Sequence, residues 1–401
     1  MRLLQSVMSR VNQIKKPQRK FLTHFMGLLL MIPGHVTFRN LSRYSHYDEK
    51  TFSRWYARDF DFVSLNLAAI TEVIPSEHEQ ALVMDASFVP KSGKTTYGLD
   101  HFWNGSHSRV EKGLEISALA WLDVTGNSAY CLSVEQTPPT GKASNPEATR
   151  IDAYLDQLTR VVTQHDLGHL RYVVTDGYYS KQKFIGGVRS LGLHQIGKLR
   201  ADANLRYLYA GPKRPGPGRP KTYDGKVNWA DLSRFYQLDT QDDHIVLYHQ
   251  VLNHVHFKLN LRVVLVLDTQ HNRRAVLFST DVELDALSLY RYYKARFQIE
   301  FLFRDSKQFA GLTDCQARSQ TKLDFHFNAS LSAVTLAKLQ ARQLRGDSGQ
   351  SFSMASLKRR NFNRHLIDLI NDHLANGQSL DKSSPDYEAL CNYGVISELA
   401  A

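Results

Sequence analysis

Residues 293–307 read YKARFQIEFLFRDSK. Wound as a helix at about 100° per residue, they place Tyr293 near 0°, Arg296 near −60°, Glu300 near −20° and Lys307 near −40°. Four polar side chains then share one narrow stripe. Lys294, Gln298 and Asp305 fall on the expected solvent side, with Phe297 and Phe301 between that side and the stripe. Ile299, Leu302 and Phe303 cover the back. A stripe flanked by aromatics is a poor place for charges that serve only solubility.

Two further acids occupy similar surroundings. Asp85 lies in the apolar run ALVMDASFV (81–89), and Asp176 ends the run in RYVVTDGYYS (171–180). These runs read as strands, and in a layered sheet-and-helix fold the late helix can pack beside both. Three converging carboxylates repel one another and need a cation. Ligands supplying oxygen without His or Cys favour Mg²⁺ or Mn²⁺, and a pair of such ions suits phosphoryl transfer. Arg296 and Lys307 would then face phosphates. The plainer reading leaves Asp85 and Asp176 as strand ends and pairs Glu300 with Arg296 or Arg304.

Outward from these acids, LEISALAWLDVTG (114–126) and SAYCLSVEQT (128–137) read as a hairpin turning at 125–127. A helix is expected across 145–165, capped by Asn145 with Pro146 in its first turn. The strand of Asp176, a helix near 181–192 and a strand at 194–199 complete a mixed α/β sheet with flanking helices. Residues 201–280 hold strand-like pieces behind a Pro/Gly-rich basic loop and read as a β-rich insertion. Residues 1–75 read as helical and basic, with Thr37 and Asp48 as helix caps. Two short helices there suit a helix-turn-helix, with Lys50 and Arg54 projecting toward DNA, or equally an ordinary helical pair.

The chain has 401 residues, with 50 Lys+Arg against 39 Asp+Glu, a net charge of +11. That surplus suits nucleic-acid contact or plain solubility. Cys131, Cys315 and Cys391 are widely spaced without a C-x-x-C, against both a disulfide scaffold and a zinc finger. FMGLLLMIPG (25–34) is too short to span a bilayer, so a cytoplasmic protein with no membrane association is expected.

The spacing Tyr-x2-Arg-x3-Glu-x6-Lys, met by Tyr293, Arg296, Glu300 and Lys307, resembles the YREK box of bacterial insertion-sequence DDE transposases. Asp85 and Asp176 match that family's two Asp positions in order and context, and the likeness spans residues 80–310. The resemblance implies a ribonuclease-H-like core interrupted by a β-rich insertion. It divides the chain into a DNA-binding region (1–75), a first part of the core (76–200), the insertion (201–280), a second part (281–345) and a helical, basic tail (346–401). It implies Asp85, Asp176 and Glu300 as catalytic ligands of two Mg²⁺ ions. It also implies Tyr293, Arg296 and Lys307 as contacts to the DNA backbone, and a homodimer joining paired ends of double-stranded DNA. Ala86 stands where relatives often have a second acid, and Gly177-Tyr178-Tyr179 where many have Arg-Gly-Tyr.

Other features point to DNA less sharply. KRPGPGRPK (213–221), with Lys213, Arg214, Arg219 and Lys221, is similar to an AT-hook with a Gly218-Arg219-Pro220 core, or is a basic loop touching phosphates. His249, His254 and His256 lack a further ligand at zinc spacing. KSGKTTYG (91–98) lacks a phosphate-loop frame. Some members of the transposase family that this chain resembles cut through a DNA hairpin with a Trp stacked on a flipped base; Trp229 falls in the insertion, and no Trp here is assigned that role. A metal-dependent nuclease or resolvase, and a DNA-binding protein without chemistry, are the competing functions. Paired-carboxylate sugar hydrolysis would leave Arg296 and Lys307 without a phosphate.

Overall fold

A computed structural model describes residues 2–11, 14–139, 147–212, 219–240, 242–345, 352–378 and 380–394. Five helices open the chain: α1 (Arg2–Arg10), α2 (Lys16–Leu29), α3 (Phe38–Arg43), α4 (Glu49–Tyr56) and α5 (Phe62–Val73). Thr37 caps α3 by accepting from the Asn40 N–H, and Asp48 caps α4 by accepting from Thr51 at 2.6 Å. The caps satisfy amides that the first helical turn leaves open.

The sheet begins with β1 (Gln80–Pro90), β2 (Asp100–Asn104), β3 (Arg109–Asp123) and β4 (Ser128–Gln136). Asn127, with φ of 45°, makes the tight turn between β3 and β4. Helix α6 (Arg150–Gln164) leads to β5 (Tyr172–Thr175), and α7 (Gln182–Ser190) to β6 (His194–Leu199). Strand β1 is antiparallel to β3 and parallel to β5, and β5 is parallel to β6. The cap of α6 is Thr149, which bonds reciprocally with Asp152, so the helix starts later than the expected Asn145 and Pro146. Those two lie outside the described residues.

Strands β7 (Leu205–Leu208), β8 (Tyr223–Lys226), β9 (Tyr236–Asp239), β10 (Ile245–His254), β11 (Leu259–Asp268) and β12 (Arg273–Ser279) follow. They are inserted in sequence but continue the same sheet in space. β12 pairs antiparallel with β6, and the order runs β2-β3-β1-β5-β6-β12-β11-β10-β7-β8, twelve strands in all with β4 on β3 and β9 on β10. The far strands pack around their own cluster of Leu205, Phe235, Leu252, Leu261 and Phe278, with Trp229 against Phe235.

After the insertion come α8 (Ala286–Ala295), α9 (Gln298–Phe309), α10 (Gln320–Arg345), α11 (Met354–Ala375) and α12 (Pro385–Cys391). The stretch expected as one helix is therefore two. Arg296 and Phe297 keep right-handed torsions, but Ile299 and Glu300 bond back three residues rather than four, a tightened step between α8 and α9. Asp305, expected in solvent, is buried, and Arg304 donates to it at 3.0 Å.

One continuous core joins the N-terminal helices, the β1–β5 sheet and α10. Phe21 and Phe25 meet Phe325 of α10, and Tyr56 hydrogen-bonds His326. Among the described residues no helix is long and apolar enough to cross a membrane.

Candidate active site

Met84 stands beside Thr175 in the last register of the parallel β1–β5 pairing, so Asp85, within β1, and Asp176, just after β5, both follow where that pairing ends. There the two strands part. β1 continues along β3 to Pro90, whereas β5 stops and Asp176 caps a single 3₁₀ turn (Gly177–Tyr179), accepting from Tyr178 N–H at 2.9 Å. Such a split at the carboxyl ends of parallel strands opens a crevice for ligands. Helix α9 lies over it.

The crevice is a cleft of about 590 Å³ lined by Asp85, Asp176, Glu300, Arg304 and Lys307 together with Glu115, Arg150, Tyr154, Tyr178 and Trp103. Arg296 bridges two of the acids, 3.5 Å from Asp85 and 2.8 Å from Glu300. Burial alone would ease the proton off this guanidinium, but Asp85 and Glu300 outweigh it and hold its pKa above the usual value. The Arg296 Nε is buried without a partner. Tyr293 lies beside the guanidinium, 5.8 Å from ring centre to carbon, and burial raises its phenol pKa.

Asp85 is strongly perturbed by its surroundings. Burial pushes its pKa up to about 7; Asp176 and Glu300 add to the rise, while Arg296 and the Ala86 N–H oppose it. Between the ordinary aspartate value and 7 the folded chain binds the extra proton. Folding stability therefore falls as pH rises through that window and levels above it. Asp85→Asn removes this titration. Its stability relative to the parent should rise between pH 5 and pH 8 by about 2 kcal/mol, allowing for the 19% of the side chain that stays exposed. Denaturant unfolding without divalent ions measures it, and a pH-independent difference would refute the shift.

Lys307 lines the cleft with burial lowering its pKa and no ion-pair partner among the described residues. It is a cation available to a ligand. Among the described residues no three His, Cys, Asp or Glu side chains stand close enough to form a ready metal cage. The donors nonetheless suit a hard divalent cation: carboxylate oxygens only, one of them driven toward protonation by burial and like charge.

Residues 11–245 match the family described as DDE superfamily endonuclease. The chain belongs to that family. The match covers Asp85 and Asp176 and ends before the helix of Glu300. DDE superfamily endonucleases act on DNA by phosphoryl transfer and generally use divalent metal ions, and this one folds as their ribonuclease-H-like sheet with flanking helices. No curated protein is similar enough to match the chain.

Among the described residues, the other expected contacts of this DDE endonuclease do not line the cleft. Lys50 and Arg54 are exposed on α4, and Arg219 is exposed. Lys221 pairs with Asp224 at 2.5 Å. Lys213, Arg214 and Gly218 fall outside the described residues. His254 stacks on Phe257 and accepts from its N–H, and burial lowers its pKa to about 4, a structural role. Lys91 donates to the Cys315 carbonyl rather than standing free.

Sequence reasoning missed the opposite wall. Glu115 of β3 is buried, accepts from the Tyr154 hydroxyl at 2.7 Å and pairs with Arg150 at 3.1 Å. One signal was available: Glu115 is the acid within the apolar stretch LEISALAWL (114–122), and an acid buried there must have a partner.

Proposed function

We propose that this DDE endonuclease is an insertion-sequence transposase that cleaves and joins DNA at terminal inverted repeats by two-metal phosphoryl transfer. The observation that carries the reading is the cleft at the split of β1 and β5, lined by Asp85, Asp176 and Glu300, with Arg296 between two of them and Lys307 without an ion-pair partner among the described residues. Sugar chemistry would give those cations nothing to bind.

In this reading Asp85, Asp176 and Glu300 hold two Mg²⁺ ions, which Mn²⁺ can replace. When bound, such ions lower the pKa of water and neutralise charge on phosphoryl oxygens. The protein's own groups do the rest. Lys307 takes a non-bridging phosphate oxygen as a point charge. Arg296 keeps Asp85 and Glu300 from repelling each other in the free chain, then turns its fork to the backbone beside Tyr293 when DNA enters. Protonation of Asp85 opposes loading below about pH 7, so activity should fall on the acid side of that value. The chain is taken to act as a homodimer on paired ends.

Incubating the chain with Mg²⁺ and duplex DNA that carries the element's inverted repeats should yield cut ends and then joined strand-transfer products. Cut ends without joining would replace the transposase with a nuclease. Binding without either product would leave a DNA-binding protein.

A further inference from the structure

Helix α9, which brings Glu300 and Lys307 to the cleft, ends in three consecutive carbonyls that other elements take up. Lys358 of α11 donates to Phe309 at 2.6 Å, Ser330 of α10 to Ala310 at 3.0 Å, and His326 of α10 to Gly311 at 2.7 Å. A helix leaves its last carbonyls without partners of its own, and a cation there also meets the negative end of the helix dipole. Gly311 turns the chain with φ of 69°, and a Cβ there would strike the Val36 side chain. Val36 in turn donates its N–H to Asp314 at 2.7 Å. The turn after α9 is thus held by α10, by α11 and by the segment before α3.

Two of these donors are held at a cost. His326 is buried; donating from Nε2 to Gly311 leaves its Nδ1 to accept from the Tyr56 hydroxyl at 3.3 Å. Burial lowers its pKa to about 4, so the ring is neutral. Lys358 is partly buried, with its pKa lowered to about 8 by that burial, whereas Arg359 and Arg360 beside it are exposed. An ammonium drawn out of water costs free energy that a position on the solvent side of α11 would avoid. What the contacts fix is the end of α9, and Lys307 lies in that last turn. Any slip of the helix end moves Lys307 first and Glu300 next.

We propose that Lys358 and His326 are positioning residues for the cleft, clamping the carboxyl end of α9 so that Lys307 and Glu300 keep their aim. The inference rests on the DNA-cleaving reading for what those two residues do, but not for the clamp itself. Misplacing groups by roughly 1 Å at a reacting centre costs on the order of 100-fold in rate, so a support behind the cleft carries weight in the chemistry. Through Lys358 the C-terminal helix contributes to the cleft without touching it, and through Tyr56 and His326 so does α4.

The test is hydrogen exchange of the full chain without metal or DNA, followed by cleavage assays. Lys358→Met keeps the stem and removes the donor; it should speed amide exchange across residues 303–309 about tenfold, while β3 stays within about twofold of the parent. Lys358→Arg, which keeps a cationic donor, should bring α9 back to within about threefold. Tyr56→Phe, which frees the His326 ring, should speed the same segment about threefold. In Mg²⁺-dependent cleavage at saturating DNA, Lys358→Met should lower turnover about tenfold and raise the Mg²⁺ midpoint by about threefold or more, with arginine again restoring both. Unchanged α9 exchange, an equal rise in β3, an arginine variant as perturbed as methionine, or faster α9 exchange with parental turnover and midpoint would each overturn the positioning role. A chain that cuts no DNA in any form would remove the phosphoryl-transfer reading instead, and the exchange rates would still decide the clamp.

Discussion

On the proposed two-ion mechanism, Glu300→Gln should lower Mg²⁺-dependent DNA cleavage by at least about 1000-fold while leaving the fold and metal-free DNA affinity near those of the parent. The amide keeps the size of the side chain and removes the charge that would hold a cation. Several kcal/mol of transition-state stabilisation are at stake, at about 1.4 kcal/mol per factor of ten. The structural loss is small by comparison. Glu300 is 41% exposed and its contact with Arg296 is a one-turn helix pair, a class worth under about 1 kcal/mol. A large fall in rate with an unmoved unfolding curve therefore separates a chemical role from a structural one. Cleavage at the parent's rate would remove Glu300 from the chemistry, and with it the two-ion mechanism.

Asp123→Ala acts on the fold instead and should cost about 4 kcal/mol. The Asp123 side chain is fully buried at the end of β3. It accepts from Arg342 of α10 at 2.6 Å and from the Gly126 N–H at 2.8 Å, and pairs with His78 at 2.9 Å. One carboxylate thus ties the β3–β4 turn to the long helix behind it and to the segment entering β1. Alanine leaves the Arg342 guanidinium, only 15% exposed, without this carboxylate, and frees the turn amide. Denaturant unfolding at neutral pH measures the loss. A cost below about 1 kcal/mol would mean that water and neighbouring groups replace the acid, contrary to this account.

Much of the architecture could be read from residue patterns, because it rests on local chemistry. The strands of Asp85 and Asp176 are short apolar runs bounded by turns, and Thr37 and Asp48 are polar caps before helical periodicity. What periodicity does not carry was lost. The step at Arg296–Phe297 keeps both residues in right-handed torsions, so the stripe of Tyr293, Glu300 and Lys307 looks the same with or without it. Asp305 is buried because α9 lies on α10, where the buried Lys338 contributes its charge, and no count along α9 alone shows that. Strand order is equally silent: β12 returns to β6 across some 70 residues of sequence, turning an insertion into an extension of the sheet. The cleft's second wall was missed because Trp103, Glu115 and Arg150 come from three elements and make no linear motif.

The shared core has a consequence for how the protein is made. Tyr56 waits for His326, 270 positions later, and Phe21 and Phe25 wait for Phe325. At roughly 5–20 residues per second of ribosomal synthesis, the first helices spend on the order of half a minute with their greasy side uncovered. A premature stop before α10 would thus release a sticky fragment for chaperones or proteases, rather than a competent DNA-binding piece able to poison the intact enzyme.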